Sequence, residues 1–239
     1  MIQTSLLMDH KIEQALDRIK AFEPPEGYYV AFSGGKDSIV VKDLVIKAGV
    51  RADFHMNMTS VDPPELVRYV KKVHPDVIRH KPVMSMWKLI EKHKKPPTRI
   101  WRFCCEELKE GGGENRFVIT GVRWAESNKR RSRKMVESCT KGRTKRYLHA
   151  IIDWSDQEVW EYIDTNHLPY CSLYDEGFKR IGCIGCPMHD RRKDFLRWPR
   201  HEMLYRRAME KLNGTYTFDW WICDRRKTPE NEAQCVLFE

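Results

Sequence analysis

The feature that most constrains this 239-residue chain is a short segment in which an apolar run meets two glycines. Residues 28–32 are all apolar or aromatic, SGGKDS follows at 33–38, and a helical apolar pattern comes next. A short unbroken apolar run before glycines predicts a buried parallel strand. Because glycine lacks a Cβ, backbone N–H groups of the turn can point at an anion, and the positive end of the next helix faces the same place. The segment therefore predicts a phosphate-binding turn.

This turn is not a Walker A loop, which spaces its glycines as G-x-x-x-x-G-K-[ST]. The compact SGGKDS form resembles the PP-loop of the ATP pyrophosphatase and sulfonucleotide reductase superfamily, whose members handle the α-phosphate of adenine nucleotides. The alternative is an ordinary glycine-rich turn between a strand and a helix. The predicted phosphate-binding residues are Ser33, Gly34, Gly35, Lys36, Asp37 and Ser38.

Apolar runs and helical patterns alternate along the first half of the chain. Strands are predicted at 28–32, 51–58, 77–78 and 116–122, with helices between them. This alternation predicts an α/β fold with a doubly wound, mostly parallel sheet of the Rossmann-like, adenine nucleotide alpha hydrolase-like kind. Ligands bind such sheets at the carboxyl ends of the strands. Residues 33–38, 59–65 and 123–131 follow predicted strands and are therefore expected to converge on one cleft.

Three consecutive segments are predicted. An N-terminal helix occupies 1–27, a PP-loop nucleotide-binding domain that includes the cysteine cluster occupies 28–187, and a helical appendage with a mobile C-terminal tail occupies 188–239. Residues 128–146 contain nine Lys or Arg residues without apolar periodicity. Such a run indicates either a solvated loop or a flap that closes over a substrate.

Composition narrows the class of partner. The net charge of +9 indicates an acidic partner, which can be a nucleotide, a nucleic acid or an acidic protein. The chain has 41% hydrophobic and 32% charged residues, a balance typical of a soluble globular protein. No uninterrupted apolar stretch is long enough to span a bilayer and no signal peptide is visible, so no membrane association and a cytoplasmic location are expected.

Four of the eight cysteines have metal-ligand spacing: an adjacent pair and a C-x-x-C pair, with 77 residues between the pairs. In a reducing compartment a disulfide framework is not expected. Thiolates bind zinc or iron–sulfur clusters, and adjacent cysteines suit the separated corners of a [4Fe–4S] cube better than one zinc ion. Structural zinc and unligated core thiols are the alternatives. The predicted cluster ligands are Cys104, Cys105, Cys183 and Cys186.

These motifs together resemble the phosphoadenosine phosphosulfate (PAPS) reductase family. The resemblance rests on SGGKDS, on the CC pair with Lys109 four residues on, on GVR ending at Arg123, on Arg130 and on C-x-x-C. The segments HAIIDW at 149–154 and LPY to Gly177 also fit, so the match covers about residues 28–187. The paired cysteines resemble the cluster-containing branch, whose members typically reduce adenosine 5′-phosphosulfate (APS).

The resemblance implies a role for each matching residue. The loop at 33–38 would hold the phosphate and sulfate, and Arg123 and Arg130 would add bidentate contacts to the anion. Lys109 would ease the repulsion between the cluster and the substrate sulfate. Cys235, near the C-terminus, would attack the sulfur and form an enzyme thiosulfonate, from which a thioredoxin-like reductant releases sulfite.

Two departures from the family pattern leave the substrate open. The tail reads QCVLFE at 234–239, without the glycine and histidine that follow the nucleophile in such reductases, so Cys235 is alternatively an incidental terminal cysteine. The second strand is followed by TSVD at 59–62, where reductases usually have Asp-Thr-Gly. The adenine nucleotide can therefore be APS, PAPS or ATP.

Two main functions follow. The first is reduction of a sulfonucleotide to sulfite and AMP or its 3′-phosphorylated form. The alternative is an ATP pyrophosphatase that adenylates a nucleic acid for sulfur insertion, as in tRNA thiolation or DNA phosphorothioation. Basic segments near Trp198, Trp220 and Trp221 suit a nucleic acid, although tryptophans at such positions are more often core residues. A nucleotide-binding regulator without catalysis is a third reading.

Overall fold

A computed structural model describes residues 2–139, 144–214 and 216–223, with side chains described from Leu7 onward. The described residues form six strands, ten α-helices and two short 3-10 helices, at 124–126 and 172–174. The strands are β1 (Tyr28–Ala31), β2 (Ala52–Asn57), β3 (Ile78–His80), β4 (Phe117–Thr120), β5 (Val136–Ser138) and β6 (Arg146–His149). The helices are α1 (Ile2–Ala21), α2 (Lys36–Ala48), α3 (Pro64–Val73), α4 (Met86–His93), α5 (Phe103–Leu108), α6 (Asn128–Arg131), α7 (Asp156–Thr165), α8 (Arg191–Arg197), α9 (Pro199–Glu210) and α10 (Phe218–Cys223).

The strands form one sheet in the order β3-β2-β1-β4-β6-β5. Strand β1 pairs in parallel with β2 and β4, and β4 pairs in parallel with β6. In this register Tyr29 lies opposite Asp53 on one side and Val118 on the other. Strand β5 runs antiparallel to β6 at the edge of the sheet. The predicted fold class, α/β with a doubly wound and mostly parallel sheet, is confirmed.

Contacts within the chain divide it into two compact units that interleave along the sequence. The first unit comprises Met1–Met56, Pro64–His80 and Gly112–Ile181. The second comprises Asn57–Pro63, Lys81–Gly111 and Gly182–Glu239. The predicted segments 1–27, 28–187 and 188–239 are a division along the sequence and stay a prediction.

The core of the first unit lies around β1 and β4. The β1 residues Tyr28 and Val30 and the β4 residue Ile119 are fully buried, as expected for strands covered on both faces. The phenol of Tyr28 donates a hydrogen bond to the carbonyl of Ile19 in α1 at 2.8 Å, so the buried hydroxyl is satisfied. Helices α1, α2 and α7 contribute further buried residues, among them Ala15, Leu44 and Val159.

The core of the second unit is aromatic. Trp221 of α10 packs at ring-centroid distances of 4.7 Å from Tyr205 and 6.0 Å from Phe195. Trp198 and Trp220 are each 7% exposed and Trp221 is fully buried. These tryptophans are therefore core residues, which removes the aromatic part of the sequence argument for a nucleic-acid surface.

The basic segment 128–146 is not a uniform loop. It contains the short helix α6 and the edge strand β5, in which Val136 pairs with Leu148. The prediction of an irregular loop is wrong at 128–131, at 136–138 and at 146, while the alternative of a flap that closes over a substrate stays a prediction. A three-residue strand is too short to show a period in the sequence, and an edge strand tolerates the flanking charges that hide it.

The predicted C-terminal tail, including Cys235, lies outside the described residues. Within the described residues, no helix is both long enough and apolar enough to cross a membrane.

An ion pair fastens α1 to the segment that follows β6. Arg18 donates to both carboxylate oxygens of Asp153, at 2.6 and 3.1 Å, and to the carbonyl of Ala150 at 3.1 Å. Burial alone would raise the pKa of Asp153, but the hydrogen bonds and charge of Arg18 outweigh it and hold that pKa below its usual value. Both side chains are about one fifth exposed, so solvent screens the pair only in part.

We therefore expect Arg18→Leu to lower the free energy of unfolding by about 1 to 2 kcal/mol at pH 7. The folded-state pKa of Asp153 is depressed, so its contribution is complete above the pKa of the unfolded chain and is lost as the pH falls through the folded-state value. The difference between variant and wild type should shrink below about pH 4 in urea titrations. The control is Arg51→Leu, whose ion pair with Glu23 spans 3.5 Å and has the Arg51 side chain 70% exposed. Equal losses in the two variants would contradict the assignment.

Candidate functional site

The predicted phosphate loop follows β1 in the first unit and leads into α2. Gly34 has a φ of +73°, a conformation that other residues rarely adopt. A Cβ at this position would lie 2.8 Å from side-chain carbons of both Leu66 and Val70 in α3. Gly35 is the N-cap of α2 and supplies no side-chain cap. The sequence needs a glycine at 34 both for the backbone angle and for the close approach of α3.

Two serines hold this loop closed. The Ser38 hydroxyl donates to the carbonyl of Gly35 at 2.8 Å and accepts from the backbone N–H of Ser33 at 3.2 Å. The Ser33 hydroxyl lies 3.2 Å from that of Ser38 and accepts from the N–H of Gly35 at 3.4 Å. Both predicted phosphate ligands therefore also shape the loop.

Lys36 is buried, with 5% of its surface exposed. Its ammonium group lies 2.9 Å from a carboxylate oxygen of Asp156 and 3.1 Å from one of Asp37. A loop at the carboxyl end of a strand is expected to be exposed, and for Lys36 that expectation is wrong. The partner Asp156, 120 residues away in sequence, is what makes burial of the charge tolerable.

Arg123, which follows β4, is 1% exposed and has three acceptors. It donates to Asp37 at 2.6 Å, to Asp156 at 2.5 Å and to the carbonyl of Trp154 at 3.1 Å. Burial would raise the pKa of Asp156, but the hydrogen bonds from Lys36 and Arg123 outweigh it and hold that pKa below its usual value. Two cations and two carboxylates thus form one closed network, the Lys36–Asp37–Arg123–Asp156 network.

Arg130 is also engaged by a carboxylate. Its guanidinium donates to Glu126, which accepts the backbone N–H of Arg123 at 3.0 Å as well. Burial lowers the pKa of Arg130, and the charge of Glu126 opposes this. The loop containing Arg123 also runs close to α2, since a Cβ on Gly121 would lie 3.0 Å from backbone atoms of Asp37. The structure therefore brings Arg123 to the loop at 33–38, with its guanidinium held by carboxylates.

The adjacent cysteines lie on α5 in the second unit. Arg102, the N-cap residue, donates to the sulfur of Cys105 at 3.2 Å. A hydrogen bond from Cys104, together with Arg102, lowers the pKa of Cys105 to about 5. The same hydrogen bond and burial raise the pKa of Cys104. The electrostatic environment of the pair therefore favours the thiolate form at Cys105 over that at Cys104.

The C-x-x-C segment forms a tight turn that is held from three sides. The N–H of Ile184 donates to the carbonyl of Val61 at 2.8 Å, and the carbonyl of Ile184 accepts from the Tyr205 hydroxyl at 3.1 Å. The N–H of Gly185 donates to Asp194 at 2.9 Å. Gly185 has a φ of +73°, and a Cβ there would lie 2.8 Å from the Tyr205 ring. Only glycine fits this turn.

The two cysteine pairs interact with each other and with Lys109. The charges of Cys105, Cys183 and Cys186 all raise the pKa of Cys104, so the four side chains share one electrostatic environment. The charge of Cys183, to which the amino group also hydrogen-bonds, and that of Asp62 raise the pKa of Lys109. The sequence prediction that these cysteines form one group with Lys109 beside it agrees with this placement.

The donor set has the chemistry of a thiolate-ligated group, since thiolates bind zinc or iron–sulfur clusters. Within residues 2–139, 144–214 and 216–223, no three His, Cys, Asp or Glu side chains are grouped so as to hold a metal ion. The iron–sulfur cluster and the zinc alternative both stay predictions.

The sequence motifs assign no role to three residues of these sites, although Tyr174 lies in the segment 168–177 that fits the family pattern. Asp156 is recognisable only as the first residue of a helix that begins with the capping box Ser155-x-x-Glu158. Arg102 lies next to the cysteines but in no motif. Tyr174, whose hydroxyl contacts the phosphate loop, reaches it from 138 residues away. Cys235, the predicted nucleophile, lies outside the described residues.

Comparison with known proteins gives three kinds of likeness. The chain matches the family model for the phosphoadenosine phosphosulfate reductase domain over residues 27–189. An adenosine 5′-phosphosulfate reductase of Bacillus anthracis is 27% identical over 172 residues, which are 66% of this chain and 74% of that protein. An uncharacterized protein of Methanocaldococcus jannaschii is 30% identical over 208 residues, 77% of this chain and 42% of that protein. This chain thus spans less than half the length of the archaeal relative.

Two solved structures share the fold. The phosphoadenylyl-sulfate reductase of Candida auris, solved as a phosphate complex, has a TM-score of 0.55 at 21% identity and covers 74% of this chain and 93% of that one. An FMN adenylyltransferase of Candida glabrata, bound to FMN and an ATP analogue, has a TM-score of 0.54 at 13% identity over 75% of this chain and 64% of that one. At such identities the likeness establishes the fold alone.

The contacts of Gly34 lead to a prediction with a matched control. Gly34 and Gly49 both have positive φ, +73° and +69°, but a Cβ at Gly49 meets nothing within 4 Å. We expect Gly49→Ala to lower the free energy of unfolding by about 1 to 2 kcal/mol, the cost of the backbone angle, and to leave AMP affinity unchanged. Gly34→Ala should lose more and should weaken AMP binding at least roughly tenfold, because α3 blocks the added methyl group. Urea unfolding and calorimetric titration measure both. Equal losses would show that crowding at Gly34 is unimportant.

Proposed function

Because this chain belongs to the phosphoadenosine phosphosulfate reductase family, we propose that it is a sulfonucleotide reductase that converts APS or PAPS to sulfite. The observation that carries the proposal is the group of four cysteines that share one electrostatic environment. Lys109 forms a hydrogen bond with one of them, Cys183. The similarity to the APS reductase of Bacillus anthracis supports the same reading.

The nucleotide is proposed to bind at the loop 33–38. The glycine backbone of this loop, the N-terminus of α2 and the position after a central parallel strand are together suited to a phosphate group. Carboxylates contact three cations near the loop: Lys36, Arg123 and Arg130. We propose that these cations favour binding of the anion both by their electrostatic field and by direct contact. The substrate then presents its sulfate beyond the phosphate.

The cofactor is proposed to be a [4Fe–4S] cluster held by Cys104, Cys105, Cys183 and Cys186. The low pKa of Cys105 and its pairing with Arg102 suit a thiolate ligand, and the rigid turn at Gly185 suits two ligands that face one centre. When bound, such a cluster supplies a polarising charge and ties the two cysteine segments together. Lys109 is proposed to offset negative charge between that group and a substrate sulfate.

Cys235 is proposed to be the nucleophile. Its thiolate would attack the sulfur of the substrate, a sulfur–sulfur bond would form, and the sulfur–oxygen bond would break with its electron pair leaving on the nucleotide phosphate. A thiolate of a thioredoxin-like protein would then attack the Cys235 sulfur and release sulfite with the electron pair of the sulfur–sulfur bond. The second thiol of that reductant would resolve the mixed disulfide, so the reductant is oxidised and Cys235 is restored.

A second candidate keeps the fold and changes the reaction. The tail around Cys235 lacks the glycine and histidine of reductases, which favours an ATP pyrophosphatase that adenylates a nucleic acid for sulfur insertion. Such an enzyme would release pyrophosphate from ATP and would take its sulfur from a separate donor. The third reading, a nucleotide-binding regulator, would yield no product.

One assay separates these readings. Anaerobic protein is offered APS, PAPS or ATP with thioredoxin, and the products are identified by chromatography. Sulfite with AMP or adenosine 3′,5′-bisphosphate supports the reductase. Pyrophosphate from ATP supports the second candidate, and nucleotide binding without any product supports a regulator.

The same assay tests Cys235 directly. We expect Cys235→Ser to lose sulfite formation at least roughly a thousandfold while nucleotide affinity is unchanged, because a hydroxyl is a far weaker nucleophile towards sulfur. Mass spectrometry of the wild type with substrate and without reductant should find a sulfite adduct on Cys235. The control is Cys139→Ser, and full activity in Cys235→Ser would remove this mechanism.

The cysteine group is tested by iron analysis. We expect anaerobically purified wild type to be brown, with iron and acid-labile sulfide, and Cys183→Ala to lose both. Cys223→Ala is the matched control, since Cys223 lies in the same unit outside the group. A colourless wild type with one equivalent of zinc per chain would exclude the cluster.

A further inference from the structure

A tyrosine from a distant loop reaches the phosphate loop. Tyr174 ends the short helix at 172–174, and its hydroxyl oxygen accepts the backbone N–H of Lys36 at 2.9 Å. We propose that the Tyr174 hydroxyl is a substrate-binding group that donates its own hydrogen to a phosphate oxygen of the nucleotide. This inference deepens the proposed function and rests on its nucleotide site.

The hydroxyl lies at the end of α2 where an anion is expected. The N-terminus of a helix leaves backbone N–H groups without partners inside the helix, and Gly35 provides no side chain to cap them. The Tyr174 oxygen takes one of these groups and lies 3.4 Å from where a Cβ of Gly35 would be. The Tyr174 hydroxyl therefore lies against the backbone of the phosphate loop, next to Gly35 and the N–H of Lys36.

The hydroxyl keeps an unused donor. A phenol oxygen can accept and donate at the same time. Among the described residues, the hydroxyl of Tyr174 takes part in one hydrogen bond, in which it is the acceptor. A ligand oxygen at the loop would supply the missing acceptor.

The ring is already held in position. Tyr174 makes edge contacts with Trp160, at a centroid distance of 5.0 Å, and with Tyr170, at 6.2 Å. Its own N–H donates to the carbonyl of Cys171 at 3.1 Å, and its carbonyl accepts from Gly177 at 3.0 Å. A donor fixed in this way loses little conformational freedom when a ligand binds.

The Tyr174 hydroxyl can bind a phosphate without breaking an ion pair, whereas the nearby cations cannot. Lys36 and Arg123 each contact two carboxylates, so a phosphate that engaged either one directly would compete with Asp37 and Asp156. The neutral hydroxyl can bond an anion without disturbing that network. Burial also raises the pKa of Tyr174, which keeps the phenol protonated at neutral pH.

The test compares AMP with adenosine on Tyr174→Phe, by calorimetric titration or by competition. Tyr174→Phe should bind AMP roughly tenfold to a hundredfold more weakly and adenosine as the wild type does, because a hydrogen bond to a charged group is lost. The control is Tyr170→Phe, whose hydroxyl belongs to the same aromatic group but donates to Asp175 at 3.1 Å. It should change neither affinity.

Each outcome decides. Unchanged or tighter AMP binding in Tyr174→Phe, or an equal loss for AMP and adenosine, overturns the inference and leaves the nucleotide site standing. A wild type that binds AMP no better than adenosine overturns both, and this is seen before any substitution is made. If the variant does not fold, nuclear magnetic resonance of tyrosine labelled with carbon-13 at the phenol carbon replaces it. The Tyr174 signal should then shift with AMP and not with adenosine, and a signal unmoved by AMP overturns the inference.

Discussion

Two buried cations and their two carboxylate partners fix the first unit at the point where its ligand is proposed to bind. Lys36 begins α2, Arg123 follows β4 and Asp156 begins α7. Lys36 and Arg123 each lie within hydrogen-bonding distance of both Asp37 and Asp156. Lys36 and Arg123 are buried, whereas the Asp37 side chain is 25% exposed and that of Asp156 is 74% exposed, so the carboxylates are the partners that make burial of the two cations tolerable. The network therefore fixes three elements that are far apart in sequence, and the shape of the loop at 33–38 depends on it. Structural and functional roles cannot be separated at these four residues.

This closure has a chemical consequence. Two positive and two negative charges cancel locally, so the network is not a simple cationic pocket for a phosphate. The attraction for an anion is therefore proposed to come chiefly from groups that carry partial charge and no counterion, namely the backbone of the loop and the end of α2. The family resemblance assigns two arginines to the anion, and both are paired with carboxylates. Arg123 contacts Asp37 and Asp156. Arg130 contacts Glu126. Under this proposal, the loop backbone and the Tyr174 hydroxyl bind the anion, and the carboxylates neutralise the buried cations next to the loop.

The sequence patterns predicted those features that depend on residues close together in the chain. The apolar run before Gly34 gave β1 and the loop, because a glycine with positive φ is a local requirement, and the spacing of the cysteines gave a thiol group. The patterns failed where a partner lies far away in sequence. The burial of Lys36 depends on Asp156, 120 residues on, and the position of Tyr174 depends on a contact across 138 residues. Strand β5 was missed because three residues show no period. Local chemistry is readable from one sequence, but pairing between distant side chains is not.

The second unit shows how a short helix supplies several functional groups at once. Helix α5 carries Cys104 and Cys105 in successive positions, and the N–H of Lys109 closes the last turn on the carbonyl of Cys105 at 2.9 Å. One turn therefore joins a thiolate to the cation that hydrogen-bonds Cys183. Arg102 at the other end of the helix contacts Cys105, so each cysteine pair has one cation of its own. The charges of the neighbouring cysteines oppose the ionisation of Cys104 and raise its pKa, so cations beside the group offset a repulsion that the cysteines themselves create. Four residues are about one helical turn, so the spacing from Cys105 to Lys109 places that cation at the end of the same helix.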